Sequence, residues 1–120
     1  MKKLPNSIKL GDIFHLGEHT IACGDSRDKE FVARLVGKRK IKAIISDPPY
    51  GVAVAESKQN FKTLLKDKKI ENDHLQSDDE YKKFTEDWLG AVTPFLERKN
   101  ALYIFNSDKM IFALLDGMKS

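Results

Sequence analysis

This 120-residue chain has few of the features that mark disulfide-rich, membrane or metal-binding proteins. Its single cysteine, Cys23, excludes an internal disulfide, and a lone thiol is usual in a reducing compartment. No run approaches the roughly 18 apolar residues of a membrane span, and the basic start lacks the apolar core of a secretion signal. Its 3 histidines show no metal-ligand spacing with one another or with Cys23. We therefore expect a cytoplasmic protein with no membrane partner and no metal site.

The composition is that of one small globular domain. Hydrophobic residues make up 41% of the chain and charged residues 32%, which supplies a core and a charge-rich surface. The formal net charge of +3 is mildly basic, so it is compatible with a nucleic-acid partner without demonstrating one. We expect residues 1–120 to form a single unit.

Two short β-type runs open the chain, at 11–16 and 19–23, and the Gly17-Glu18 pair between them favours a hairpin. Two continuous apolar runs further on, at 42–46 and 101–105, are rich in β-branched or aromatic residues. Runs of this kind, bounded by polar residues and chain breakers, predict buried strands.

Apolar residues recur at helical spacing in three of the stretches that flank these strands. The first predicted helix is capped by Asp25 or Ser26 and ends at Gly37. The second is longer and is capped by Ser77 or Asp78. Both helices therefore begin at short polar side chains that can accept hydrogen bonds from free backbone N–H groups.

The end of the second helix and the start of the third have signals of their own. Pro94 is expected to kink the second helix or end it early, since proline cannot continue the backbone ladder. Residues 97–100 are predicted to form the turn before the last strand. One of Asn106, Ser107 and Asp108 is predicted to cap the final helix.

Buried strands that alternate with amphipathic helices imply an α/β fold, with a parallel sheet flanked by helices and preceded by the hairpin. In open parallel sheets, ligands bind beyond the carboxyl ends of the strands. Three strand ends are polar and are expected along one edge, which is the predicted site: Gly24-Asp25-Ser26, Ser46-Asp47-Pro48 and Asn106-Ser107-Asp108.

One of these strand ends continues into the sequence Asp47-Pro48-Pro49-Tyr50-Gly51. Each proline fixes its own φ angle, lacks an N–H group and keeps the preceding residue out of the helical region. Asp47 and Pro48 are therefore held extended, and Gly51 lets the chain turn. The stretch predicts a stiff loop that presents a carboxylate, backbone carbonyls and an aromatic ring together.

In this context the motif resembles S-adenosylmethionine-dependent DNA methyltransferases that act on exocyclic amines, adenine N6 or cytosine N4. The opening segment, from Leu10 to Asp25, is similar to that of the β-type members, in which the catalytic loop precedes the cofactor loop. The resemblance covers nearly the whole chain. It implies a partial Rossmann-like methyltransferase sheet, S-adenosyl-L-methionine as cofactor, DNA as partner, and a place in restriction–modification.

The chemistry of amine methylation explains why these residue types are needed. The lone pair of an exocyclic amine is delocalised into the base, so the nitrogen is a poor nucleophile. Hydrogen bonds from its two hydrogens to the Asp47 carboxylate and the Pro48 carbonyl would draw it toward tetrahedral geometry. Tyr50 would stack on a base that has left the duplex. Pro49 would fix the position of the Tyr50 ring relative to the acceptors at Asp47 and Pro48. No covalent intermediate is needed, so Cys23 is expected to be an ordinary buried strand residue.

By resemblance, Asp25 would lie near the adenine or ribose of the cofactor, and Asp47 would also border its methionine portion. A role of Asp25 as a helix cap is compatible with this. Residues 51–75 are polar and unperiodic, and their position after the rigid loop favours a lid over a disordered insertion. Lys58 and Lys62 in this segment are candidate phosphate contacts, although solvated charge runs are common.

The chain departs from the family in one respect. Its 7 glycines include no Gly-x-Gly pair, whereas the family holds the methionine end of the cofactor with a Phe-x-Gly-x-Gly loop. We therefore expect a partial catalytic domain that is inactive alone and whose exposed sheet edge favours self-association. Two alternatives remain open: an inactive remnant that self-associates or binds nucleic acid, and an enzyme that methylates RNA or a protein amide.

Overall fold

The computed structural model of the protein describes residues 8–52 and 74–119. This part of the chain is a small α/β domain with an antiparallel hairpin, a parallel pair of strands and three α-helices. In chain order the elements are β1 (Ile13–Leu16), β2 (His19–Ala22), α1 (Lys29–Val36), β3 (Ile41–Ser46), α2 (Asp78–Val92), a 3₁₀ turn (Thr93–Phe95), β4 (Leu96–Ile104) and α3 (Ile111–Met118).

The predicted hairpin is confirmed, with β1 and β2 antiparallel and Leu16 paired with His19. Gly17 occupies the turn at φ 61°, a conformation that glycine adopts without strain. Cys23 extends the pairing, because its N–H donates to the Asp12 carbonyl and its carbonyl accepts from Gly11. The thiol is free and half-buried.

Helix α1 begins three residues later than a cap at Asp25 would require. Asp28 is its N-cap, and Asp28 Oδ1 accepts from the backbone N–H groups of Glu30 and Phe31 at 3.0 Å each. The prediction of Asp25 or Ser26 as the cap is therefore wrong, and Asp25 makes its side-chain hydrogen bonds to Arg27 instead. The predicted stop at Gly37 is confirmed at φ 62°.

Strands β3 and β4 are parallel and are joined through α2, the crossover that a parallel pair requires. Four consecutive pairs run from Ala43 opposite Ala101 to Ser46 opposite Ile104. Strand β4 begins at Leu96, which pairs with Ile41, so the predicted turn at 97–100 lies within its span. The register shifts between the Ile41–Leu96 and Ala43–Ala101 pairs, because β4 has more residues than β3 in this interval. The extra residues of β4 form a local irregularity in the pairing.

Helix α2 has the predicted N-terminus and the predicted end. Ser77 and Glu80 form a capping box, in which the Ser77 side chain accepts from Glu80 N–H and the Glu80 carboxylate accepts from Ser77 N–H. Pro94 ends the helix by forcing a short 3₁₀ turn before β4. The inner face of α2 carries much of the core, including Tyr81 and Trp88.

Helix α3 starts at Ile111 with Met110 at the N-cap position and no side-chain cap. The prediction that Asn106, Ser107 or Asp108 caps it is wrong, because Asn106 Oδ1 accepts from the N–H of Ser107 rather than from a helical N–H. The helix packs closely on α2 at Gly117, where a β-carbon would lie 2.7 Å from Thr85 Cβ.

The three predicted strand ends do not share one sheet. Among the described residues, β2 pairs with β1 alone and the parallel sheet consists of β3 and β4. The ends of β3 and β4 are adjacent, with Phe105 N–H donating to the Ser46 carbonyl at 2.9 Å. No helix in the described ranges is long and apolar enough to cross a membrane.

Candidate functional site

The loop after β3 has no regular secondary structure, as its two prolines lead us to expect. Residues 47–50 belong to no helix, strand or turn, and Asp47 is exposed while Pro48, Pro49 and Tyr50 are half-buried. A carboxylate in this position is accessible to a ligand from solvent. The loop therefore presents Asp47 at the carboxyl end of a parallel strand, where α/β proteins place their ligand sites.

Tyr50 folds back onto Asp47. The Tyr50 hydroxyl donates a hydrogen bond of 2.6 Å to Asp47 Oδ1. This bond to the carboxylate raises the pKa of the Tyr50 phenol above its usual value, because the neutral donor is favoured over the phenolate. One oxygen of the predicted amine acceptor is thus engaged by the ring that is predicted to stack on the base.

Gly51 anchors the end of the loop to the start of α2. Its carbonyl accepts from the N–H of Gln76 at 2.9 Å. It is buried at φ 64°, and a β-carbon there would lie 3.1 Å from the Tyr81 ring and 3.2 Å from the Gln76 side chain. Glycine is needed here both for the backbone conformation and for the close approach of Tyr81.

Tyr81 connects this loop to the end of β4. The residue is fully buried, and its hydroxyl donates to Asn106 Oδ1 at 3.4 Å. Among the described residues, Asn106 Nδ2 and Ser107 Oγ are buried without a hydrogen-bond partner. The sequence placed Asn106 and Ser107 at the predicted edge but did not single out Tyr81, since helical spacing alone could not show which strand end its hydroxyl would reach.

Asp25 is held by Arg27 rather than by the parallel sheet. Both carboxylate oxygens accept from the Arg27 guanidinium, at distances of 2.6 to 3.1 Å. Hydrogen bonding to this guanidinium lowers the pKa of Asp25, and burial opposes the shift only in part. The guanidinium lies 5.7 Å from the centre of the Phe84 ring. The turn after β2 therefore reaches α2 through a cation–π contact.

A cleft of about 400 Å³ lies between this turn and the first half of α2. That volume is within the range of about 300–1,000 Å³ for small-molecule pockets. Its lining combines both signs of charge with one aromatic ring: Arg27, His74, Gln76, Asp79, Glu80, Lys83, Phe84 and Asp87. Asp47 and Tyr50 are not in this lining, but Gln76 is, so the cleft borders the point where the loop is anchored.

Several predicted features fall outside the described residues. These are Lys58, Lys62 and most of the segment at 51–75 that was predicted to form a lid. Of the predicted site residues that are described, the structure brings together Asp47, Pro48, Pro49 and Tyr50, and places Asp25 on a separate turn. Sequence reasoning missed Arg27, whose position two residues after Asp25 was its only signal.

The described residues fit the amine half of the predicted chemistry better than the cofactor half. Asp47 is exposed and accepts one hydrogen bond, from the neighbouring Tyr50, whereas Asp25 accepts several from Arg27. The sequence contains no Gly-x-Gly cradle for the carboxylate end of S-adenosylmethionine. In 8–52 and 74–119 no group of three or more His, Cys, Asp or Glu side chains could hold a metal ion.

Comparisons with protein-family models, with curated proteins and with solved structures find no match to this chain. The resemblance to amino-methyltransferases therefore depends on the motif residues themselves and on their placement at the end of a parallel strand.

Proposed function

We propose that this chain is part of a DNA methyltransferase and supplies the residues that hold the exocyclic amine of a target adenine or cytosine. The observation that carries the proposal is the loop at 47–50, which places an exposed carboxylate and an aromatic ring on one rigid segment beyond β3. Nitrogen methylation needs both: an acceptor for the amine hydrogens and a flat surface for the base.

The amine would replace Tyr50 as the donor to Asp47. In the structure, Asp47 Oδ1 accepts from the Tyr50 hydroxyl at 2.6 Å. A target amine that donates to this carboxylate and to the Pro48 carbonyl loses delocalisation into its ring, which exposes the nitrogen lone pair. The same acceptors then stabilise the positive charge that develops on nitrogen, because they are already oriented toward it.

Tyr50 would then be free to serve as a stacking surface. The Pro48-Pro49 pair limits how far the ring can move, so release of the hydroxyl from Asp47 changes mainly the side-chain torsions. Base–aromatic stacking contributes about 1–3 kcal/mol and tolerates either target base. The base reaches the ring only after leaving the duplex, since its amine is otherwise paired.

The methyl group would come from S-adenosyl-L-methionine. Asp25, on the turn that borders the cleft, is the described side chain proposed to face its adenosine end, and Asp47 is proposed to border its methionine portion. Without a Gly-x-Gly loop the chain has no cradle of backbone N–H groups for the methionine carboxylate. We therefore propose that the domain contains part of a Rossmann-like methyltransferase sheet and does not transfer methyl groups by itself. We also propose that the protein is cytoplasmic.

The proposal is tested by asking whether the chain binds a base more tightly when that base carries an exocyclic amine. Two single-stranded oligonucleotides would be compared by fluorescence anisotropy, identical except that one carries adenine and the other unsubstituted purine at a single position. A charge-assisted hydrogen bond contributes about 1.5–3 kcal/mol, and part of this offsets the loss of the Tyr50 bond, so the adenine oligonucleotide is predicted to bind more tightly by up to roughly 100-fold. Equal affinity for the two would contradict the proposal. Labelled methyl transfer to duplex DNA is expected to be absent for this chain, and robust turnover would overturn the claim that it is partial.

A second reading, a non-catalytic module that self-associates, is favoured by a different observation. One face of the β3–β4 sheet carries exposed Ile45, Tyr103 and Phe105. The adenine and purine oligonucleotides separate the two readings, because a module that only self-associates has no reason to prefer a base that carries the exocyclic amine.

A further inference from the structure

The amino end of the β3–β4 sheet carries exposed cations from both strands. The strands first pair at Ile41 and Leu96, and the irregular stretch 97–100 of β4 then lies beside Lys42 of β3. Five exposed side chains, on this stretch, on β3 and on the link between α1 and β3, form what we call the basic end of the sheet: Lys38, Lys40, Lys42, Arg98 and Lys99.

The charges of the basic end are not neutralised by neighbouring acids. None of the five side chains belongs to an ion pair within the described part of the chain. Arg39, in the same link, differs from them because its guanidinium donates to two carbonyls at the end of α1. Glu97 is the one acid in segments 38–42 and 97–100. Cations grouped in this way create a positive potential that attracts anions.

We propose that the basic end binds the phosphates of a nucleic-acid backbone without reading the bases. The surface is separate from the candidate site. At about 3.3 Å per strand residue, Lys42 at one end of β3 lies roughly 17 Å from Asp47 beyond the other end. The inference goes beyond the proposed methyltransferase function and does not depend on it, because it requires neither a target amine nor a cofactor.

The composition of the basic end favours a nucleic acid over the two other common anionic partners. Stable anchoring on a membrane surface combines cations with an inserted apolar group. An interface with an acidic protein has an apolar or aromatic centre in which lysine is depleted. The exposed large apolar residues of the described chain all lie outside 38–42 and 97–100. Nucleic-acid interfaces are instead polar and strongly positive, and lysine and arginine contact their phosphates.

Removing single charges tests this surface. The ligand is a fluorescent oligothymidylate, whose bases carry no exocyclic amine, so the proposed amine contact at Asp47 adds nothing to its binding. Affinity is measured by anisotropy as salt is raised. Each phosphate contact on a single strand contributes about 0.7 to the steepness of log K against log salt, so Lys42→Gln and Arg98→Gln should each reduce the steepness by roughly 0.7. Near 0.05 M salt the same relation predicts about 5- to 10-fold weaker binding for each variant.

Lys29→Gln is the matched control, because it removes the same charge from an exposed lysine at the start of α1. Its affinity and salt dependence should equal those of wild type. Equal losses in all three variants would show that net charge, rather than the basic end, binds the oligonucleotide, and would overturn the proposal. So would unchanged binding in Lys42→Gln and Arg98→Gln, or binding of phosphatidylserine vesicles without binding of oligothymidylate.

Two further measurements complete the test. Lys42 and Arg98 are exposed, so their replacement removes no core packing, and circular dichroism should show that both variants are folded. Any preference for the adenine over the purine oligonucleotide should be the same in Lys42→Gln as in wild type, because a phosphate contact weakens binding equally for both. The phosphate surface and the amine contact can therefore fail independently of each other.

Discussion

The Tyr50 hydroxyl donates to Asp47 Oδ1 at 2.6 Å, so the aromatic ring and the carboxylate of the loop are bonded to each other. Both side chains belong to the loop that contains Pro48 and Pro49, and the bond joins residues three apart in sequence. The proposed substrate amine and the Tyr50 hydroxyl therefore compete for the same acceptor. Removing the hydroxyl and removing the ring should have opposite effects on binding.

Tyr50→Phe keeps the ring and removes its bond to Asp47. Because the Tyr50 hydroxyl competes with the substrate amine for the Asp47 carboxylate, binding of the adenine oligonucleotide should tighten when the hydroxyl is removed. Tyr50→Ala also removes the stacking surface and should weaken binding by about 5- to 100-fold. Anisotropy titrations of the two variants check the signs. Weakening by both to the same extent would show that the hydroxyl, and not the ring, contacts the base.

The same bond predicts how Tyr50 titrates. Hydrogen bonding to Asp47 raises the pKa of Tyr50 above the ordinary 10.0. A folded-state pKa above the unfolded value stabilises the fold below the unfolded pKa, and this contribution is lost as pH rises through the folded pKa. The titration of Tyr50 is followed by phenolate absorbance, and subtracting the absorbance of Tyr50→Phe removes the contributions of Tyr81 and Tyr103. The pKa of Tyr50 measured in this way should be lower in Asp47→Asn than in the wild type. An unchanged Tyr50 titration in that variant would mean that the two side chains are not bonded in solution.

Arg27→Ala should lower the free energy of unfolding at neutral pH and should have a smaller effect in acid. The Arg27 guanidinium lowers the pKa of Asp25 below the ordinary 3.8. A lowered folded-state pKa contributes stability above the unfolded value, and this contribution is lost as pH falls through the folded value. Because both side chains are at least one-third exposed, the pair and the Phe84 contact together should contribute only about 1 kcal/mol at neutral pH. Urea unfolding at neutral pH and near pH 3 measures the difference, which should shrink in acid.

Gly117→Ala tests the close packing of α3 on α2. A β-carbon there would lie 2.7 Å from Thr85 Cβ and 2.8 Å from the Lys82 carbonyl, so the helices must separate. Overpacking costs about 1–3 kcal/mol, which exceeds the helix-propensity gain of about 1 kcal/mol. Gly90→Ala in α2 is the control, since nothing lies within 4 Å of its β-carbon, and it should stabilise the fold. Thermal unfolding should therefore shift in opposite directions for the two variants.

Local signals predicted the elements whose ends are fixed by neighbouring residues. Gly37 stops α1 and Ser77 starts α2 because each cap depends on groups within one helical turn. Strand β4 was predicted too short because its first pair, Leu96 with Ile41, joins residues far apart in sequence. The cap of α1 was misplaced because Asp25 and Asp28 are both good caps, and the pairing of Asp25 with Arg27 decides between them.

The candidate site also combines features that the local sequence determines with features that depend on tertiary contacts. The absence of helix and strand at residues 47–50 follows from the prolines and needs no tertiary information. The contact of Tyr81 with Asn106 spans 25 positions and depends on how α2 crosses the sheet, so no sequence pattern indicated it. The bond between Tyr50 and Asp47 depends on side-chain torsions that the backbone leaves open.

The central claim is that Asp47 accepts a hydrogen bond from the exocyclic amine of the target base. The most direct measurement is a cycle of four affinities: wild type and Asp47→Ala, each with the adenine and the purine oligonucleotide. We predict that wild type prefers adenine by up to roughly 100-fold and that Asp47→Ala loses most of this preference, keeping only what the Pro48 carbonyl supplies, which gives a coupling free energy of up to about 3 kcal/mol. A preference for adenine that persists unchanged in Asp47→Ala would contradict the account.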